Sequence, residues 1–211
     1  MITVPLPPAL SEALRAAADR WSRVPSPWLV GGSCGLAFHA VPIDAAPRDL
    51  DVYVDADGAS AFHDALAEYA TDEPQYNETE RYRSVLSHYT IHGVTLELVA
   101  GFEVREPGAL YRVDIAGAMR MHALRADVYG LSVGVMPLAH ELAFNLLRHR
   151  PDRYERIAAA MRGAPADHLP ALARILADNR FDDAWRGRLL GLLDVSEDAL
   201  GSPGEAPLCR E

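Results

Sequence analysis

The chain has 211 residues, 49% of them apolar, enough to bury a substantial core as one domain or as one domain with a helical appendage. Its formal net charge of −10 argues against a broad nucleic-acid surface, whose affinity would rest on neutralised phosphates, though not against a local basic pocket. The first residues show no basic run ahead of an apolar one, and no segment approaches the roughly 20 apolar residues that span a bilayer; a cytoplasmic location without a membrane partner is the default expectation.

In chain order, Ser11 is a candidate N-cap for a helix with Leu14, Ala17 and Trp21 at helical spacing, ended by Pro25 and Pro27. Residues 28–30 suit a short buried strand, Gly31-Gly32 a tight turn and residues 35–40 a short helix, and the two prolines of 41–47 mark a loop. A second strand over 50–54 and a turn at 55–58 lead to a helix over 59–69, with Phe62, Leu66 and Tyr69 on one side. Residues 71–81 are polar and irregular in pattern. Strands over 84–91 and 94–100 are joined by His92-Gly93, a hairpin signal. Residues 105–125 suggest a loop, a short helix near 115–119 and a turn, and 128–135 one more strand. From Pro137 the pattern is helical, over 138–147, 154–161, 169–176 and 185–193. Residues 195–211, with Gly201, Pro203, Gly204 and Pro207, suit a frayed tail.

The strand over 50–54 carries the chemistry. Side chains alternate across a strand, so Asp49, Asp51 and Tyr53 share one face while Leu50, Val52 and Val54 share the other. Two carboxylates then point the same way with Cα atoms about 7 Å apart, which suits Mg²⁺ ions in a two-metal site. Residues 1–135 carry 18 acids against 10 arginines and residues 136–211 carry 12 against 10, so the first part is the acidic one, as a metal site would make it. There is no lysine, so arginine must supply any side-chain cation. Cys34 and Cys209 make no disulfide framework; Cys34 follows the glycine turn, where a helix N-terminus can lower a thiol pKa, but a small buried residue is the simpler expectation.

An apolar residue, Gly-Gly-Ser, a spacer and Asp-x-Asp between apolar residues resembles the signature of the DNA polymerase beta-like nucleotidyltransferase superfamily. Val30-Gly31-Gly32-Ser33 and Asp49-Leu50-Asp51-Val52 carry the resemblance, and the spacer over 34–48 is closer in length to that of antibiotic-modifying members. The resemblance implies an α/β (α+β) fold: a small mixed sheet flanked by helices in a nucleotidyltransferase-like domain over 1–135, a helical C-terminal region over 136–194 and a flexible tail over 195–211. It also implies that Gly31, Gly32 and Ser33, with Arg48, bind the nucleotide, and that Asp49 and Asp51 bind two Mg²⁺ ions. Arg48 can equally be a partner of Asp49 or a surface residue. The family's third acid lies on the neighbouring strand, which points to Glu97 as metal ligand or base, with Glu103 as the substitute and a solvated edge charge as the plainer alternative.

The run Arg148-His149-Arg150-Pro151-Asp152-Arg153 resembles a basic stretch of some small nucleotidyltransferases but lacks its usual lysine, and a solvated helix face is expected. His88 and His92 lack the spacing of a zinc pair and are expected to be ordinary histidines. The function implied is Mg²⁺-dependent transfer of a nucleoside monophosphate from a nucleoside triphosphate such as ATP to a hydroxyl of a small molecule. An aminoglycoside- or lincosamide-like acceptor is one candidate, since an acidic cleft attracts cations. A tRNA end or protein hydroxyl fits the net charge less well. The alternative is a degenerate member acting as a nucleotide-binding or protein-interaction module.

Overall fold

The computed structural model describes residues 2, 3 and 6–201. Its elements run β1 (Ile2–Thr3), α1 (Pro8–Trp21), β2 (Leu29–Gly31), α2 (Gly32–Phe38), β3 (Asp49–Val54), α3 (Ala59–Ala65), β4 (Gln75–Glu78), β5 (Tyr82–Ile91), β6 (Val94–Glu106), β7 (Ala109–Arg112), β8 (Leu124–Val128) and β9 (Leu131–Val135). Then follow α4 (Leu138–Leu147), α5 (Pro151–Gly163), α6 (Pro165–Asp178), β10 (Arg180–Phe181) and α7 (Asp183–Leu193). One mixed sheet has the order β1-β8-β9-β2-β3-β6-β5-β4, with β7 on the far end of β6 and β10 on β7. Strand β3 is central, antiparallel to β2 and parallel to β6.

The alternation of β3 divides the interior. Leu50, Val52 and Val54 join Leu96 and Leu98 of β6 under Leu14 and Trp21 of α1, one apolar core. Tyr53 and Val99 belong to the other, roofed by α4 to α7. Every residue of α4 is buried. Among the described residues no helix is long and apolar enough to cross a membrane.

The sheet is larger than the small one expected, for identifiable reasons. Strand β4 is exposed throughout and held by pairing with β5, so no apolar alternation marks it. Strand β6 continues past Gly101, at φ 60°, into Glu103 and Arg105, whose charges disguise a strand that pairs with β7. The single strand expected over 128–135 is the second half of a β8–β9 hairpin, turned at Tyr129 and Gly130, both at positive φ. Helix α1 starts at Pro8, a residue suited to a first helical position, and Ser11 lies buried inside it rather than capping it. Helix α2 starts at Gly32, directly at the glycine turn, and α3 ends at Ala65, with a 3₁₀ turn over Ala67–Tyr69. Within the tail region, Glu197–Leu200 is an ordered 3₁₀ turn and Glu197 pairs with Arg186; residues 202–211, including Cys209, lie outside the described residues.

Candidate active site

Strand register builds the site. Asp51 lies between Gly31 of β2 and Glu97 of β6 as a direct pairing partner of both, and Asp49 lies opposite Thr95. Asp49, Asp51 and Glu97 therefore share a face, because parallel register partners project the same way. Glu97 in turn pairs with His88 of β5, whose Nε2 stands 3.8 Å from Glu97 Oε2. The other ring nitrogen of His88 lies 2.6 Å from Asp72 Oδ2, and its backbone N–H donates to Asp72 Oδ1 at 2.7 Å. His88 is thus held against the candidate base, a placement its sequence spacing did not reveal.

The glycine turn is shaped by the same carboxylate. Gly32 has φ 59°, and a Cβ there would run into Asp51 Oδ2; a side chain is excluded on both counts. A Cβ on Gly31 would lie 2.7 Å from the Tyr53 ring. The N–H of Gly32 donates to Glu141 Oε1 at 2.8 Å, so it is taken by α4 and is no free phosphate donor. Asn145 steadies that carboxylate, with Nδ2 3.3 Å from Glu141 Oε2. Ser33 faces the cleft, where its hydroxyl accepts from Arg153 Nη2 at 3.3 Å. Cys34, buried behind the turn, is pushed up to about 12 by burial and then by Asp51 and Asp49, the opposite of an activated thiol.

Negative charge accumulates here. Burial pushes the Asp51 carboxyl up to about 6, reinforced by Asp49 and Glu97 and opposed by Arg153 and Arg148. Glu141 is pushed up to about 7, first by burial and also by Asp51, against the Gly32 hydrogen bond, Arg153 and Asn145. Glu103 is no substitute: it is 1% exposed and receives Arg83, Arg105 and Arg112 at 2.9, 2.7 and 2.5 Å, whose hydrogen bonds and charges outweigh burial and lower its pKa.

Two cavities meet at this carboxylate row. One, about 360 Å³, includes Ser33, Arg48, Asp49, Arg150, Arg153 and Arg156; the other, about 460 Å³, includes Gly32, Asp51, Glu97, Phe102, Phe144 and Arg153. Arg153 lines both. Arg150 pairs with Asp152 and Arg156 with Asp44, whereas Arg48 and Arg153 have no carboxylate partner among the described residues. Arg148, Arg150 and Arg153 of this run therefore line the cleft, where a solvated helix face was expected, while His149 is exposed beside Glu106. Glu141 was also missed, although a lone acid in the apolar run over 138–147 signals a buried charge with a task.

The donor chemistry fits Mg²⁺. Among the described residues no three His, Cys, Asp or Glu side chains already form a metal-holding group. Mg²⁺, however, is commonly held by one or two carboxylates plus substrate phosphates. Asp49 and Asp51 supply hard oxygens; burial raises the Asp51 pKa first, and the repulsion from Asp49 and Glu97 that adds to it is what a divalent cation would relieve.

No protein-family model matches the chain, and no curated protein matches it significantly in sequence. Among solved structures, a provisionally assigned nucleotidyltransferase from Thermotoga maritima superposes with a TM-score of 0.59 at 22% identity, over 76% of this chain and 97% of that one. The chain therefore has the nucleotidyltransferase fold. The antibiotic-resistance factor ANT(2'')-Ia matches at 0.49 and 13% identity, over 86% and 94%. The lincosamide antibiotic adenylyltransferase LnuA matches at 0.43 and 10%, over 69% and 94%. These last two likenesses are too loose to add to the fold assignment.

Proposed function

We propose that this chain is a nucleotidyltransferase that moves a nucleoside monophosphate from a nucleoside triphosphate, ATP being the first to test, to a hydroxyl of a small molecule. The register that sets Asp51 between the glycine turn and Glu97 carries the reading. Ser33 and the guanidiniums of Arg48 and Arg153, which have no carboxylate partner among the described residues, hold the triphosphate, a task for which arginine's planar fork is suited. Gly31 and Gly32 contribute by absence of side chain, since the Gly32 N–H belongs to Glu141. Asp49 and Asp51, with Glu97 beside them, would hold divalent cations, which when bound stabilise charge on the attacking and leaving oxygens. Glu97 takes the proton of the acceptor hydroxyl. The acceptor oxygen bonds to the α-phosphorus as the bond from that phosphorus to the β-bridging oxygen breaks, and pyrophosphate leaves.

Purified protein incubated with each labelled triphosphate, Mg²⁺ and a panel of hydroxyl acceptors tests the reading. Mg²⁺-dependent label transfer is expected from the native sequence and is lost in Asp49→Ala and Asp51→Ala proteins of unchanged circular dichroism. Triphosphate binding with no transfer to any acceptor would favour a nucleotide-binding module instead. Equal transfer by both variants would sink the carboxylate assignment.

A further inference from the structure

The two halves of the cleft are chemically unlike, and they divide the acidic pair between them, Asp49 lining one and Asp51 the other. The half that Asp49 lines has four arginines and Ser33 but no aromatic ring. The half that Asp51 and Glu97 line holds Tyr53, Tyr82, Phe102 and Phe144. Resting on the nucleotidyl-transfer reading, we propose that the aromatic half is the acceptor pocket and that the acceptor is a flat, largely apolar ring system bearing the reacting hydroxyl. Asp51, Glu97 and Glu141 in this half would attract a polycationic sugar, but the first two are the groups assigned to the cations and the base, and Arg148 and Arg153 line the same space.

The rings are arranged as a wall. Tyr82 and Phe102 lie 13° from parallel with centroids 6.3 Å apart, and Phe144 stands edge-on to Phe102 at 5.1 Å. Ring faces attract other flat π-systems, and the cavity of about 460 Å³ is of the size that takes a drug-sized ligand. Charge is mixed here. The Arg148 guanidinium lies 4.6 Å from the Phe144 centroid, and Arg148 and Arg153 face the same space as Asp51 and Glu97. A ligand with several ammonium groups would meet those guanidiniums, whereas a neutral ring meets none of them at a disadvantage. The nucleobase of the triphosphate is the rival occupant, because bases also stack on such rings. Glu97 decides for the acceptor: a general base must reach the hydroxyl it deprotonates, and Glu97 lines the aromatic half alone.

The probe is 7-hydroxycoumarin, a flat phenol whose own fluorescence reports binding, titrated with and without a saturating non-hydrolysable ATP analogue and Mg²⁺. Tobramycin serves as the polycationic comparison. Coumarin is expected to bind with the analogue in place. Phe102→Ala should weaken coumarin by at least about tenfold while analogue affinity stays within about twofold. Tyr82→Ala, at a half-buried ring, repeats the measurement should Phe102→Ala not fold. Displacement of coumarin by the analogue, or loss of analogue affinity in either variant, would give the rings to the nucleobase and overturn the proposal. Absence of coumarin binding, or tighter binding of tobramycin, would overturn the substrate class. Failure of the analogue to bind at all would count against nucleotidyl transfer, and the titration without analogue would still decide whether the rings hold a flat ligand.

Discussion

Strand β3 has two sides made from six consecutive residues, and they are organised on opposite principles. On the side of Leu50, Val52 and Val54, contacts are apolar, and the few buried polar groups satisfy one another: His63 and Ser87 both hydrogen-bond the Tyr89 hydroxyl, at 2.9 and 2.8 Å. On the side of Asp49, Asp51 and Tyr53, α4 brings in a carboxylate at Glu141, and His140 Nε2 and Asn145 Oδ1 have no protein hydrogen-bond partner among the described residues. The first side maximises burial. The second tolerates unpaired polar groups and crowded like charge; stability alone would not select that crowding, and a bound cation would explain it.

The sharpest break of this comparison comes from one substitution on each side. Leu50→Ala, at a fully buried site, should cost about 2 to 5 kcal/mol of stability in urea unfolding, with activity per folded molecule retained. Asp51→Asn should do the reverse: equal or higher melting temperature at pH 8, because the ionised carboxyl is disfavoured in the fold, and transfer reduced by more than about a hundredfold. A Leu50-like loss of stability in Asp51→Asn would make Asp51 structural. The same shift predicts that Mg²⁺-supported nucleotide binding weakens as pH falls below about 6, since the cation competes with a proton for Asp51.

Gly32→Ala couples the two sides. The left-handed backbone conformation and the Asp51 carboxylate both oppose a Cβ, so about 1 to 3 kcal/mol of destabilisation is expected with loss of nucleotide affinity beyond that. Native nucleotide affinity in Gly32→Ala would show that the turn does not set the carboxylate.

Glu141 offers a pH signature. Its pKa is raised from 4.5 to about 7, so the folded protein holds a proton that the unfolded chain releases. The associated stability is fully present below about pH 4.5 and lost as pH rises through about 7, on the order of 3 kcal/mol. Glu141→Gln should therefore flatten the fall in stability between pH 5 and pH 8; parallel profiles for the two proteins would refute the assignment. The smallest effect concerns Cys34, which should resist alkylation in the native protein, as peptide mapping would show, because its thiolate is suppressed by burial and by Asp51.

What the sequence disclosed followed physical locality. Alternation in Asp49–Val54 exposed both sides of β3 at once, and Glu97, isolated between Leu96 and Leu98, declared its face in the same way. Arg153 and Glu141 were hidden because each belongs to the site through a contact more than a hundred residues away in sequence, with Ser33 and with Gly32. Strand β4 escaped notice because its pairing with β5, rather than apolar alternation, holds it in the sheet, and β7 because four residues are too few for its alternation of buried Ala109 and Tyr111 to stand out. The basic run was misjudged because a solvated arginine and one turned into a cleft have identical local sequence.

Helix α4 is buried along its whole length from Leu138 to Leu147, with Phe144 keeping a sliver of surface, toward the cleft. Its insulation requires the sheet beneath and the later helices around it, so neither the strands nor the helical run completes the core without the other. Cooperative unfolding in a single transition is the expected behaviour, and a fragment ending at Val135 would leave Val104 and Tyr111 uncovered and prone to association. Because Glu141 sits on this helix, loosened packing in α6 or α7 reaches the Gly32 turn through α4, and a variant far from the cleft can impair it without altering any residue that lines it.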